Sequence, residues 1–369
     1  MIGLYGRQWI PPQASDAFHP DLLNADELVF AGNPYAALKL YKSLAGQSHI
    51  AQRRLMLAQR RIKSILNRPD RTSLKQEYII KLGFVDWYGD FNQHENFIID
   101  LFNQAAIKSI ATAPEEADII VAGCYGSRIQ QDATLSKDKL VLFVSGENLR
   151  PSYQIHDFSL STEWRSYCRK NQRYPQWFND LDFRGEDILC EFSQKGQEAN
   201  TRPRDLPITA IYNNTTPLRE EIIATLRQSF GHKNIHVFGS QRSGEVNKIE
   251  ILARSVIHIC LENSIGEGYV TEKLHHSLLM GCKSLYWGDI SSKNDFQQTN
   301  VYNLYEKTDL HKMKEWCEIQ LKSNTEIKQN CQYINESIYA QRPSIKPILK
   351  HIRRIATMIT GWELLRGKI

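Results

Sequence analysis

Short continuous apolar runs, each closed by small or polar residues, recur along the chain and alternate with stretches of helical spacing. Tyr78 to Val85 contains Ile79-Ile80-x-Leu82-x-Phe84 and predicts a strand, followed by the loop Asp86-Trp87-Tyr88-Gly89-Asp90. Asn96 to Ala106 has helical spacing. Asp118 to Ala122 and Lys139 to Val144 are further runs, ending in Gly123-Cys124-Tyr125-Gly126 and Ser145-Gly146-Glu147-Asn148. Runs that stay apolar at successive positions are what a parallel sheet covered on both faces requires. The alternation returns later, with strands over Ile208 to Tyr212, Ile235 to Phe238, Val256 to Leu261, Lys283 to Tyr286 and Val301 to Leu304. Helices fall between them at Leu218 to Phe230, Asn247 to Arg254 and Val270 to Met280. Thr216 is placed to cap the first of these helices, with Pro217 at its first position. Strands alternating with helices predict two doubly wound α/β domains, whose ligands belong at the carboxyl ends of the strands.

The flanks read differently. Met1 to Pro20 is turn-rich. Asn24 to Leu66 predicts two helices separated by Gly46-Gln47-Ser48, and Tyr35, Leu38 and Tyr41 among small alanines resemble a single tetratricopeptide hairpin. One hairpin is too few for a solenoid, so the expectation is a helical cap packed on the main body, with a docking or oligomerisation arm as the alternative. Asn67 to Thr72 reads as a linker. Phe158 to Asp187 is rich in aromatics; Trp164, Tyr167, Tyr174, Trp177 and Phe178 suit packing better than sugar stacking. Glu186 to Pro207 reads as a crossing or insertion, and Thr308 to Lys322 and Asn324 to Gln341 as helices. Ile345 to Leu365 is amphipathic and basic, with Lys346, Lys350, Arg353 and Arg354 opposite Ile348, Leu349, Ile352, Ile355 and Met358. It predicts a closing helix on the first domain; a helix lying on an anionic membrane stays open as the other reading. The boundaries that follow are 1–75 for the helical extension, 76–185 joined by 343–369 for the first α/β domain, and 205–342 for the second.

The densest chemistry lies in His258 to Lys273, a buried strand that turns polar at Glu262-Asn263-Ser264, breaks at Gly266 and Gly268, and resumes as a helix. A strand, a glycine loop and a helix N-terminus in that order suit phosphate. On the glycines alone a tight turn between core elements is the plainer account, because the spacing is neither G-x-G-x-x-G nor a Walker loop. Glu262, Asn263, Tyr269, Glu272 and Lys273 crowd the same strand end, and Lys273 opposes the helix dipole, which prefers acids there. Arg219 also stands in a first helical turn. Glu147 follows a buried strand directly; it is either a loop acid, capping a turn or pairing with Arg150, or a general base whose pKa partial burial raises.

Composition narrows the class without naming it. The 369 residues suffice for two ordinary domains. Lysine and arginine total 46 against 41 acids, a net charge of +5, which is too mild to argue for nucleic acid. The seven cysteines are scattered without a C-x-x-C pair, so zinc is not expected; Cys260 and Cys282 read as buried free thiols, and a reducing compartment is the simplest inference. No apolar run is of membrane-spanning length and the first residues do not read as a signal peptide. A nicotinamide-dependent oxidoreductase would need G-x-G-x-x-G after its first strand, and Tyr78 to Asp90 lacks it.

Glu262-Asn263-Ser264 followed by Gly266-Glu267-Gly268-Tyr269-Val270-Thr271-Glu272-Lys273 resembles the signature of the α-1,3/α-1,4-fucosyltransferases, glycosyltransferase family 10. Leu285-Tyr286-Trp287-Gly288 with Asp295-Phe296, and Gly146-Glu147-Asn148 upstream, fit the same pattern. The likeness is strong over Pro207 to Leu304, fair over Lys81 to Asp157, and absent from the first seventy-odd residues and the last few dozen. Lys283-Ser284 departs from it, since many relatives carry a proline before the Y-W-G block. The resemblance implies a GT-B type fold, two Rossmann-like domains facing a cleft, of a bacterial, cytoplasmic form. It implies an inverting transfer of L-fucose from GDP-fucose to a GlcNAc-containing oligosaccharide or glycolipid acceptor, in α-1,3 or α-1,4 linkage. Glu147 would be the base. Arg219 and Lys273, with backbone N–H groups near Gly268 and Tyr269, would hold the phosphates. Glu272 would bind sugar or ribose hydroxyls, Tyr269 the phosphate or base, and Glu262 and Asn263 the fucose end. No obligatory metal is expected, a divalent ion being at most stimulatory, because the one D-x-D, Asp180-Leu181-Asp182, follows no recognisable strand. Another GDP-sugar as donor, a non-catalytic glycan-binding scaffold, a homodimer and a peripheral membrane contact through 345–365 remain alternatives.

Overall fold

The computed structural model describes residues 16–67, 78–181, 183, 203–239, 247–307, 309–323, 339–341 and 343–365. The linker at Asn67 to Thr72 lies beyond them except for its first residue. So do most of Met1 to Pro20, Glu186 to Pro207 and Asn324 to Gln341, together with Asp182, Cys190 and Cys331. The described residues divide into two compact units, one of residues up to 174 with those from 345 onward, the other of residues within 175–344.

The first unit holds a six-stranded sheet of β1 (Ile80–Val85), β2 (Ser109–Ala111), β3 (Ile119–Ala122), β4 (Leu140–Val144), β5 (Phe158–Ser161) and β6 (Asn171–Arg173). Its order is β2-β1-β3-β4-β5-β6 and every pairing is parallel. β3, β4 and β5 are buried at every residue, as a sheet covered on both faces demands. Gly83 lets a 3₁₀ turn over Pro114–Glu116 lie against β1; a Cβ there would stand 2.7 Å from Pro114 Cα. β2, β5 and β6 were not expected from the sequence. The last two hide behind polarity. Ser159 and Ser161 are fully buried, and their hydroxyls donate to Asn171 Oδ1 at 2.7 and 2.9 Å.

Three helices, not two, precede this sheet: α1 (Pro20–Phe30), α2 (Pro34–Leu44) and α3 (His49–Leu66). The break that periodicity missed is Gly32-Asn33-Pro34. Gly32 takes φ +77°, Asn33 caps α2 through Ala36 N–H, and Pro34 starts the helix. A buried charge network ties these helices to the sheet. Arg54 reaches Asp26 at 3.1 Å and Asp157 at 2.7 Å, Arg53 reaches Asp157 at 3.0 Å, Lys170 lies 3.6 Å from Asp26, and the Tyr41 hydroxyl donates to Asp26 at 2.7 Å. Burial alone would push both carboxyls up; Arg54 with Lys170 at Asp26, and Arg53 with Arg54 at Asp157, outweigh it and hold them below the ordinary carboxylate range. Breaking one partner of such a set costs about 3–5 kcal/mol, because a buried charge is left uncompensated.

In the same unit, α4 (Phe97–Gln104) follows β1, capped by Asn96. A four-residue α5 (Arg128–Gln131) follows β3, its amides held by Asp86. The basic C-terminal stretch forms α11 (Lys346–Thr360) and a 3₁₀ turn, Gly361–Leu365. Ile348, Ile352, Ile355, Met358 and Ile359 are buried and the helix packs on α1, α4 and β6, as a closing helix should. Among the described residues no helix is long and apolar enough to cross a membrane.

The second unit holds β7 (Leu206–Ile211), β8 (Ile235–Phe238), β9 (Ser255–Leu261), β10 (Lys283–Trp287) and β11 (Val301–Asn303), in the parallel order β11-β10-β9-β7-β8. Its helices are α6 (Pro217–Phe230), α7 (Lys248–Arg254), α8 (Glu272–Leu279), the short α9 (Ser292–Asp295) and α10 (Leu310–Ser323). One face of β9, with Ile257, Ile259 and Leu261, packs with Ile223, Leu226, Met313 and Cys317 from α6 and α10. The other, with Cys260, packs with Leu252, Leu274 and Leu278 from α7 and α8. Tyr174 stacks on Phe97 in the first unit and Trp177 sits in the core of the second, so both are packing residues. Trp164 is 41% exposed, with Arg173 over its ring.

Buried neutral histidines set the acid response. His351 is pushed down to about 3, by burial first and then by Arg354. His258 is likewise lowered to about 3 and His156 to about 4, both mainly by burial. Above about pH 6.5 neither folded nor unfolded chain binds these protons; from there down to about pH 4 only the unfolded chain does, so stability falls as pH falls. Urea unfolding of a His351→Leu variant is expected to show a flatter loss between about pH 6 and about pH 4, by about 1.4 kcal/mol per pH unit. Equal slopes would show that His351 titrates normally.

Candidate functional site

Both sheets have a topological switch point, between β1 and β3 in one and between β7 and β9 in the other, where neighbouring strands send their connections in opposite directions. Crevices form there at the carboxyl ends. In the second sheet the crevice is a cavity of about 160 Å³ whose lining includes Tyr212 and Asn213 beyond β7, His258 and Cys260 on β9, Lys248 on α7, and Glu272 and Lys273 on α8.

Glu262, the first residue after β9, organises this edge. It is 1% exposed and accepts from Thr271 N at 2.9 Å, Thr271 Oγ at 2.7 Å and Tyr286 OH at 3.4 Å. Lys273 Nζ lies 3.4 Å from the same carboxylate and 3.0 Å from Thr271 Oγ. Thr271 is the N-cap of α8, so Glu262 anchors the cap and the cap anchors Lys273. Burial would lower the Lys273 ammonium, but Glu262 and Glu272 outweigh it and hold it above the ordinary lysine value. Burial would raise Glu272; Lys273 and Lys248, the latter at 3.7 Å, hold it below the usual carboxylate range. One oxygen of Glu272, Oε2, is buried without a hydrogen-bond partner among the described residues. The site therefore carries two lysines and an under-bonded carboxylate around one opening.

The intervening loop is held internally. Gly268 has φ +79°, and its N–H donates to Asp289 at 2.8 Å; Tyr269 N–H donates to Gly266 O at 2.9 Å. The two amides assigned to phosphate from the sequence are thus engaged within the protein, because the tight turn needs them. Tyr269 itself is 1% exposed. Arg219 is buried as well. Its Nη atoms donate to Asn214 O at 2.6 Å, Leu261 O at 3.1 Å and Asn263 Oδ1 at 2.9 Å, while Nε has no hydrogen-bond partner among the described residues. Burial lowers its pKa below the ordinary arginine value, against Glu262. Arg219 and Asn263 therefore brace the end of β9 from one side while Glu262 and Lys273 brace it from the other.

Glu147 belongs to the first unit. It follows β4, half-buried, with its N–H 3.1 Å from Ser145 Oγ, whose hydroxyl donates back to Glu147 O at 2.9 Å. Cys124 and Tyr125, beyond β3, lie within its field; the Tyr125 hydroxyl is pushed up to about 12 by burial, with Cys124, Glu147 and Tyr88 adding to it. Arg150 is drawn to Glu163 at 3.1 Å. Sequence reading missed Lys248 and Asp289. The signal for Lys248 was its place in the first turn of α7, the same anti-dipole position that drew notice at Lys273.

Comparison with known proteins agrees with the motif reading. Residues 82–179 match the family described as Alpha-(1,3)-fucosyltransferase FucT N-terminal domain. The Alpha-(1,3)-fucosyltransferase FucT of Helicobacter pylori is 22% identical over 259 residues, which cover 62% of this chain and 54% of that protein. The chain thus spans about half the length of the curated relative it matches. Crystal structures of an α1,3-fucosyltransferase with GDP and with GDP-fucose each superpose with a TM-score of 0.58 at 17% identity, covering 80% of this chain and 94% and 95% of theirs. The fold is GT-B type, as in those structures, and the chain is similar over residues 82–179 to the N-terminal domain of the α-1,3-fucosyltransferases.

Proposed function

We propose that this protein transfers L-fucose from GDP-fucose to a hydroxyl of a GlcNAc-containing oligosaccharide, in α-1,3 or α-1,4 linkage. The observation that carries this reading is the convergence of Glu262, Thr271, Glu272 and Lys273 at the switch-point crevice of the second sheet, within a fold shared with an α1,3-fucosyltransferase crystallised with GDP-fucose.

The chemistry fits the parts. As the acceptor oxygen bonds to the fucose anomeric carbon, the bond from that carbon to the phosphate oxygen breaks and GDP departs with the electron pair. Lys273 and Lys248 offset the growing negative charge. Glu147 takes the acceptor's proton, and a single displacement inverts the anomeric centre through an oxocarbenium-like transition state. Glu272 Oε2, buried and under-bonded, suits a sugar or ribose hydroxyl. Arg219 acts through Asn263 and the end of β9, holding the donor edge in shape.

Incubation with GDP-fucose and N-acetyllactosamine is expected to release GDP and fucosylate the acceptor. Glu147→Gln should lower kcat by about 10²–10⁴-fold while leaving the KM for GDP-fucose nearly unchanged; normal turnover would remove Glu147 from the role of base. For Lys273→Ala, calorimetric titration with GDP should show affinity roughly 10- to 100-fold weaker, the worth of one charge-assisted contact. Unchanged GDP affinity would refute the phosphate role.

A further inference from the structure

The geometry points to a divalent transition-metal site, of the Zn²⁺ class, formed by Asp180, His275 and His276 in the second unit. His275 and His276 are successive residues of α8, and Asp180 closes a 3₁₀ turn over Gln176–Asp180. A donor atom from each of the three lies within 4.8 Å of the others. Asp180 Oδ2 is 2.9 Å from His276 Nε2 and 3.6 Å from His275 Nδ1. Ligands on a tetrahedral zinc with bonds of about 2.0–2.1 Å stand about 3.3–3.4 Å apart, so these separations bracket the required value.

A plain hydrogen-bonded tie between the turn and the helix explains only part of this. It needs one imidazole, and His276 meets it. The second ring approaches the same oxygen at 3.6 Å, longer than an ordinary hydrogen bond, so a single carboxylate oxygen is met by two imidazoles. His275 also has the outer partner that ligating histidines have: its Nε2 lies 2.9 Å from Tyr339 OH. Donation to that hydroxyl would leave Nδ1 as the lone-pair atom facing Asp180. Trp177 and Phe296 pack about the His275 ring at 5.6 and 6.2 Å, giving the site an apolar wall. The side chains of Asp180 and His276 are 22% and 16% exposed and provide the entry path. One carboxylate and two imidazoles suit zinc or cobalt, with water at the remaining position, and do not suit the all-oxygen preference of magnesium or calcium. A bound ion would pin the turn to the helix whose first residues are Glu272 and Lys273.

Co²⁺ titrated into untagged, metal-stripped protein is the test, read by visible absorption without any sugar nucleotide, so the result is independent of transferase activity. One equivalent should bind with the bands of a four- or five-coordinate ion, and Zn²⁺ should displace it. His276→Gln, at the partly exposed ligand, should weaken binding at least about tenfold, and Tyr339→Phe, which removes only the outer hydroxyl, about 10- to 100-fold. Absence of the bands in the natural protein would overturn the assignment. So would binding that persists unchanged in both variants, which would place the ion elsewhere.

Discussion

The carboxylate of Glu262 is the point on which the carboxyl edge of the second sheet rests. It sits at the first position beyond a fully buried parallel strand, where backbone groups lose their sheet partners and a charge would otherwise be stranded. Thr271, Tyr286 and Lys273 compensate it together. The result is a loop whose two ends are fastened to each other. The N-cap of α8, the lysine of its first turn and the end of β9 are one hydrogen-bonded object, so the crevice at the switch point has a fixed rim rather than a flexible one.

That arrangement divides the charged residues by what they can do. Arg219 has an arginine's reach but is turned inward, its Nη atoms bound to carbonyls and to Asn263. Lys273 is held charged between two carboxylates, and Lys248 completes the set through Glu272. Lysines act as compact point charges, suited to meeting a phosphate without a fixed fork geometry. The crevice is therefore lined by ammonium groups, while the guanidinium braces the end of β9.

The first unit is stabilised by a different device. Its N-terminal helices are joined to β4, β5 and β6 through Asp26, Arg53, Arg54, Asp157 and Lys170, a network with hardly any exposure to water. Asp157 also accepts from Val141 N–H on β4, so the sheet register and the helical cap share one carboxylate. Such a set tolerates no missing partner, which makes the helical extension an integral part of this unit.

How much of this was readable in advance follows from the range of the forces involved. The apolar runs of β1, β3, β4, β7, β9 and β10 declare themselves because a parallel strand covered on both faces is apolar at most successive positions. Thr216-Pro217 marks a helix start by local chemistry, and the Y-V-T-E-K block carries its family likeness in a contiguous string. What stayed hidden depends on partners far along the chain. β5 and β6 are held by Ser159, Ser161 and Asn171, whose polarity reads as loop until each is seen to satisfy another. Arg219 reads as a phosphate ligand until the end of β9, more than forty residues later, supplies carbonyls for it. Asp180 and the histidine pair lie about a hundred residues apart, and only the packing of a 3₁₀ turn on α8 brings them together. Pattern and local capping decide which elements form, because those energies act within a few residues; tertiary structure decides which polar groups remain available for chemistry, because every buried donor or acceptor must first find a partner wherever the fold supplies one.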